Sequence, residues 1–206
     1  LFSMKKINMV DLNGQYRKIR WQVNREIKKV INTSSFVNGP IVKEFQNNLQ
    51  EYLGVKHVIP CANGTDALQI ALMALDLKIG DEVITTNFSF ASTIEVILLL
   101  GLKPVVIDID PRTFNINPDL IQDKISNKTK AIIPVHLFGQ SCRMEEILEI
   151  SNKNNIQVIE DNAQALGSKY KFSNSQKQMS GTIGDVATTS FYPTKNLGCY
   201  GDGGAI

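Results

Sequence analysis

No run of apolar residues in this chain is long enough to cross a bilayer. Its longest uncharged apolar stretch, Val96 to Leu102, falls far short of the roughly 20 residues that a spanning helix needs. Histidine is scarce, with only His57 and His136, so an imidazole-based metal site has little support. The three cysteines, Cys61, Cys142 and Cys199, are odd in number and widely spaced. They match neither a disulfide framework nor a zinc spacing, and they point to a reducing cytosol. An excess of one charge is lacking as well. A net charge of +2 leaves no strong electrostatic footprint for nucleic acid or an anionic membrane surface. Leu1 to Lys6 has no apolar run behind its lysines, so no signal peptide is expected, and Met4 reads as the natural start. Repeats of fixed period, low-complexity tracts and interior linkers are absent too. So are the GxGxxG and GxxxxGK[ST] patterns of dinucleotide and triphosphate sites.

What is there describes a globular protein. The 206 residues, 43% hydrophobic and 20% charged, suffice for one large domain with a real core. Apolar residues at Tyr16, Ile19, Val23, Ile27, Val30 and Ile31 repeat every three or four positions, which predicts an amphipathic helix over Asp11 to Ile31. Ser34-Ser35 and Gly39-Pro40 break it. A second helix is expected from Val42 to Leu53, with Gly54 as its stop. Thereafter short Val- and Ile-rich strands alternate with helices. Strands are expected at His57–Cys61, Glu82–Thr86, Pro104–Asp108, Ala131–Val135, Gln157–Glu160 and Val186–Phe191. Helices are expected at Asp66–Leu77, which is apolar nearly all round and should therefore be buried, and at Ala91–Leu100, Pro118–Ile125 and Met144–Lys153. Such alternation means βαβ units and a mostly parallel sheet covered on both faces. Ser173 to Ser180 is polar and reads as a surface loop. Gly203 to Ile206 looks like a strand cut off in mid-element, so a fragment of a longer protein is expected.

Four places in this pattern carry chemistry. Lys195 follows the last full strand, held between Pro193 and a glycine-rich return, Gly198 to Gly204; it is either a displayed nucleophilic amine or a plain surface lysine. Asn63-Gly64-Thr65-Asp66 joins a strand to a helix. It suits a phosphate, through free N–H groups at the helix start and the Thr65 hydroxyl, or it is an ordinary capped turn. Glu160-Asp161 ends a strand in two acids, with Gln164 close behind. Such an acid can hold a ribose, a metal or a protonated ring nitrogen, or can cap the next segment. Phe88 and Phe90 follow a strand and are loop anchors unless a planar ligand makes one a stacking platform. Pyridoxal phosphate needs a phosphate seat, an acid for its pyridine nitrogen, an aromatic face and a lysine. Gly64-Thr65, Asp161, Phe90 and Lys195 supply all four at one edge of the expected sheet, and Ser190 could close the phosphate seat. The lysine must lose its proton to attack, which burial beside a cationic ring favours.

From Val10 to Ile206 the sequence resembles the DegT–StrS family of pyridoxal-phosphate-dependent nucleotide-sugar aminotransferases. The resemblance lies in Asp11-Leu12 with Gln15-Tyr16, Gly39-Pro40, Asn63 to Leu68, Pro104-Val105 with Asp108-Ile109-Asp110, and Pro134 to Leu137 with Gly139. It is most specific in Glu160-Asp161 with Ala163-Gln164 and in Ser190 to Gly198. It implies an α/β fold: a three-layer, aspartate-aminotransferase-like large domain of fold type I, with a mostly parallel seven-stranded sheet. Residues 1–35 would form an N-terminal helical arm and 36–206 the cofactor-binding large domain, with the family's C-terminal small domain absent. Lys195 would be the Schiff-base lysine and Asp161 the partner of the pyridine nitrogen. Phe90 would stack on the ring, Gly64, Thr65 and Ser190 would bind the phosphate, and Gln164 would contact the ring hydroxyl. One departure stands out: Asn162 replaces a small residue, which bears on the packing under the ring.

The implied reaction moves an amino group from L-glutamate to a keto group, at C3, of a nucleotide-linked sugar, for cell-surface polysaccharide or amino-sugar synthesis. The implied setting is a cytoplasmic homodimer with no nucleic-acid or membrane partner. Two rivals are a sugar dehydratase of the same family and a non-catalytic regulator that kept the fold. Family dehydratases carry histidine in place of the lysine, which Lys195 speaks against. An intact Lys195, Asp161 and Thr65 speak against the regulator.

Overall fold

A computed structural model describes residues 9–206; the reading of Leu1 to Lys6 concerns residues outside that range. The chain divides into two compact units, one ending at Leu49 and the other running from Gln50 to Ile206. The expected boundary after residue 35 lies in the turn before the second helix, whereas this division falls within that helix. Helix α1 is Leu12–Thr33. Asp11 caps it by accepting a 2.8 Å hydrogen bond from the Gly14 N–H, satisfying one of the orphan donors of the first turn. Ser34, in the left-handed region at φ 51°, ends it. Helix α2 is Pro40–Leu53 and opens on a proline, whose missing N–H costs nothing in a first turn.

The second unit is built on a seven-stranded sheet of order β1-β9-β8-β5-β4-β2-β3. The strands are β1 Pro60–Cys61, β2 Glu82–Thr86, β3 Lys103–Ile107, β4 Thr129–Ile133, β5 Gln157–Asp161, β8 Val186–Ser190 and β9 Gly204–Ala205. The run β3-β2-β4-β5-β8 is parallel throughout. Only β9 runs against its neighbours, and it lies between β8 and β1. Helices α3 (Gly64–Ala74), α4 (Ser92–Leu99) and α5 (Met144–Asn154) complete the layers. Successive strand residues point to opposite faces, and the core divides accordingly. Val83, Ala131, Ile133 and Ile159 pack with Leu68, Leu72, Val96 and Ile97 of α3 and α4. Their neighbours Ile84, Ile132 and Val158 pack with Met144 and Ile147 of α5. The result is a three-layer α/β fold, as the alternating pattern implies.

Three expectations differ in detail. Ser173 to Ser180 is not all loop, because Lys169–Lys171 (β6) and Lys177–Met179 (β7) pair as an antiparallel hairpin. Its strands are lysine-rich and polar, so apolar periodicity gives no sign of them; Tyr170 and Phe172 meet edge to face at 4.9 Å instead. Pro118 to Ile125 forms two 3₁₀ turns, Pro118–Leu120 and Gln122–Lys124, in place of one helix. Helix α3 buries one face only. Leu68 and Leu72 lie inside, whereas Ile70 is 42% and Met73 59% exposed.

That one-sided burial predicts a contrast between adjacent residues. Leu72→Ala should lower stability by about 2–5 kcal/mol, since the cavity adds to the lost transfer energy. Met73→Ala should stay within about 0.5 kcal/mol, as exposed substitutions do. Urea midpoints of the two variants test this, and equal losses would mean that the outer face of α3 is covered.

Candidate active site

In the second unit, the carboxyl ends of β1, β2, β4, β5 and β8 all open on one edge of the sheet, since β1 and β8 both oppose β9. A cavity of about 470 Å³ lies there, where open α/β sheets take their ligands. It brings together most of the candidates read from the sequence, whereas Asp66, Phe88 and Glu160 do not line it. Gly64 and Thr65 lie on one wall with Ser190, Phe90 on another, and Asp161, Gln164 and Lys195 complete it.

Each is placed by local chemistry. Asn63 caps α3 by accepting 2.8 Å from the Asp66 N–H. The N–H groups of Gly64 and Thr65, in the first turn, then have no acceptor within the helix. A Cβ on Gly64 would stand 2.7 Å from the Ser190 Cβ, so only glycine lets the α3 turn and the end of β8 approach this closely. Phe90 precedes α4 and is 69% exposed. The Gln164 amide is oriented by the Phe138 N–H, which donates to Oε1 at 2.8 Å; its NH₂ group is left to serve as a donor. Lys195 is half-buried in a loop whose root is fastened by Cys199 N–H to Phe191 O at 2.8 Å. The Asn196 amide reaches Leu166 O at 3.2 Å.

The two acids at the end of β5 face opposite ways and do different work. Glu160, 0% exposed, accepts from His136 Nε2 at 2.7 Å and from the N–H groups of Gly181 (2.8 Å), Ile183 (2.6 Å) and Gly184 (2.7 Å). His136 Nδ1 accepts from the Cys142 N–H at 3.1 Å, so its proton sits on Nε2, aimed at Glu160. Burial alone would raise the Glu160 carboxyl, but the His136 hydrogen bond and the backbone donors outweigh it and hold it below its ordinary value. Asp161, 4% exposed, receives only the Thr93 hydroxyl on Oδ2 at 2.9 Å and the Ala163 N–H on Oδ1 at 3.2 Å. Among the described residues no lysine or arginine forms an ion pair with it. Burial pushes its carboxyl up, against the opposing pull of Thr93 and Ala163 and the weaker pulls of His136 and Lys195. Glu160 is thus the cap and Asp161 the acid that faces the cavity.

The structure corrects one expectation and adds residues. Asn162 does not line the cavity. It packs on the Gly181 backbone, where an added Cβ would stand 2.5 Å from its Nδ2, so its larger side chain leaves the cavity floor unchanged. Sequence reading passes over Thr93 and Ser89, and Ser89 lines the cavity with a buried hydroxyl that lacks a partner. Only the helical offset of Thr93 from Phe90 could have signalled it.

Buried acid, helix N-terminus and fastened lysine loop at the carboxyl edge of such a sheet define an aminotransferase-type α/β domain. The chain belongs to the DegT/DnrJ/EryC1/StrS aminotransferase family, whose model matches residues 17–206. It is 47% identical over 200 residues to a UDP-2-acetamido-2-deoxy-3-oxo-D-glucuronate aminotransferase of Pseudomonas aeruginosa, covering 97% of this chain and 54% of that protein. It is 46% identical over 200 residues to a "pleiotropic regulatory protein" of Geobacillus stearothermophilus, covering 97% and 52%. Among solved structures, NtdA of Bacillus subtilis with bound cofactor PMP superposes with a TM-score of 0.90 at 35% identity, covering 98% of this chain and 45% of that one. The chain spans about half the length of the curated relatives it matches.

The opposed surroundings of the two acids predict opposed effects on the cofactor-free protein. Glu160→Gln should cost about 3–5 kcal/mol at neutral pH, since it leaves buried donors facing an amide. Glu160 has a lowered pKa, so its contribution is full above the ordinary glutamate value and fades as pH falls through the lowered one. Asp161→Asn should cost little at neutral pH. The raised pKa of Asp161 makes its charge a burden that grows as pH rises from the ordinary aspartate value through the raised one. Denaturation curves across pH check both signs, and a larger loss for Asp161→Asn at neutral pH would contradict them.

Proposed function

We propose that the protein to which this chain belongs is a pyridoxal-phosphate-dependent aminotransferase. In this reading it transfers an amino group from L-glutamate to the C3 keto group of a nucleotide-linked sugar, for polysaccharide or amino-sugar synthesis. The observation that carries the reading is the buried Asp161, held in no ion pair by lysine or arginine among the described residues, in one cavity with Lys195 and the α3 N-terminus. The residues fit the cofactor. A carboxylate out of water calls for a cationic partner, which a protonated pyridine nitrogen supplies, and the Gly64–Ser190 approach makes a cradle that a side chain would fill. The names of relatives support the substrate class, including an aminotransferase acting on UDP-N-acetyl-3-dehydro-glucosamine and a GDP-perosamine synthase.

Bound there, pyridoxal phosphate supplies an electron sink that stabilises negative charge at the substrate carbon. Gly64, Thr65 and Ser190 would hold its phosphate at the positive end of α3. Asp161 would keep the ring nitrogen protonated, Phe90 would cover the ring, and the Gln164 amide would be available to donate to the ring oxygen. Lys195 Nζ would anchor the cofactor and, once the donor's amine has displaced it, would be free to act as base and acid at the substrate's Cα. Residues 1–35 serve as an arm and 36–206 as the cofactor domain of a cytoplasmic homodimer. Among the described residues no helix is long and apolar enough to cross a membrane. The regulator named among the relatives keeps a second reading in view, sensing without turnover; the retained Lys195 and Asp161 favour the enzyme.

Lys195→Ala should abolish transamination by the full-length protein. Borohydride reduction of the wild type followed by peptide mapping should place the cofactor on Lys195, and label on another lysine would sink the assignment. Sedimentation of the full-length chain over a concentration series should give a dimer; a monomer active at full rate would refute the homodimer.

A further inference from the structure

Thr93 belongs to no part of the site described so far except through one bond. It lies in the first turn of α4, 0% exposed, and its hydroxyl donates to Asp161 Oδ2 across 2.9 Å between residues 68 apart in sequence. A buried hydroxyl in a helix can be satisfied by its own backbone. Here it reaches instead to a buried acid that no lysine or arginine pairs. The same residue's N–H points to Phe90 O at 3.4 Å. Thr93 therefore joins by its main chain the aromatic proposed for the ring's face, and by its side chain the acid proposed for the ring's nitrogen. Among the described residues the only other donor to the Asp161 carboxylate is the Ala163 N–H, on the other oxygen, at 3.2 Å. Without Thr93, the carboxylate would be fixed from one side only.

We propose that Thr93 is a positioning residue. Its hydroxyl sets the rotamer and the acceptor geometry of Asp161, and holds that acid in register with Phe90 so that a planar cationic ring meets both at once. The inference rests on the reading of Asp161 as partner of the pyridine nitrogen. Thr93 itself touches no reacting atom. Loss of the hydroxyl frees the Asp161 carboxylate to rotate and leaves one oxygen unsatisfied, which weakens its hold on the ring. The methyl of Thr93 has no part in this, so serine serves in its place and valine, of the same shape, does not.

The test uses the full-length protein with pyridoxal phosphate as the probe. Thr93→Val should raise the cofactor dissociation constant on the order of ten-fold or more, the usual effect of losing a hydrogen bond to a charged group. Thr93→Ser should bind within about three-fold of wild type, since it keeps the donor. In an Asp161→Asn background, where the carboxylate is already gone, Thr93→Val should change the dissociation constant far less. Thermal denaturation of the cofactor-free variants reports folding separately. If Thr93→Val does not fold, Thr93→Ala against Thr93→Ser makes the same comparison. Three outcomes overturn the proposal while leaving the proposed function standing: wild-type affinity in Thr93→Val, an equal defect in Thr93→Ser, or an undiminished valine effect in the Asp161→Asn background. A wild type that takes up no pyridoxal phosphate, or an Asp161→Asn variant that holds it as tightly, overturns the function and this inference together.

Discussion

A carboxylate removed from water and held in no ion pair is the constraint on which this site turns. Asp161 lies at the floor of the cavity with two neutral donors and no lysine or arginine paired to it, a state that burial penalises. Its neighbour Glu160 has what Asp161 lacks, a histidine and three backbone donors. Two successive acids thus differ because strand alternation sends one into a fully satisfied pocket and the other toward open space. The deficit at Asp161 is one that the proposed cationic ring would fill.

The parallel sheet makes this arrangement possible. Its strands other than β9 all end on one side, so separate connections deliver their first residues to the same space. Helix α3 brings a positive helix end, α4 brings Phe90 and Thr93, and the loop after β8 brings Lys195. These elements are far apart in sequence, and the groups are fastened by bonds to different parts of the fold. The Asn63 cap, the Phe138 N–H on Gln164 and the Asn196 bond to Leu166 are examples. Glu160 also ties the 181–184 segment to the end of β5, immediately before the strand that carries Ser190.

Much of this is legible in the sequence because the signals are apolar and regular. The Val- and Ile-rich strands come out within three residues, and the edge that Gly64, Asp161 and Lys195 share follows from each lying at or just past a strand's end. What escapes is polar or tertiary. The Lys169–Lys171 and Lys177–Met179 hairpin has no apolar alternation to betray it. The 3₁₀ turns at Pro118–Lys124 carry the same residues a helix would, but the Asn117 side chain caps them locally at the Asp119 N–H. Asn162 reads as floor packing because sequence does not say which way its side chain turns beyond the end of β5. Thr93 stays hidden because its importance lies in a bond across the fold.

Strand β1 pairs with β9 and, among the described residues, with no other strand. The ladder supporting the Asn63–Gly64 turn therefore closes between Pro60–Cys61 and Gly204–Ala205, the opposite ends of the second unit. During synthesis the earlier segment waits on the later one, and loop-closure entropy makes such distant pairings slow. Until β9 arrives, β8 has an open edge of the kind that invites wrong partners. The turn at the head of α3 thus has its strand support only once β9 is paired with both β1 and β8.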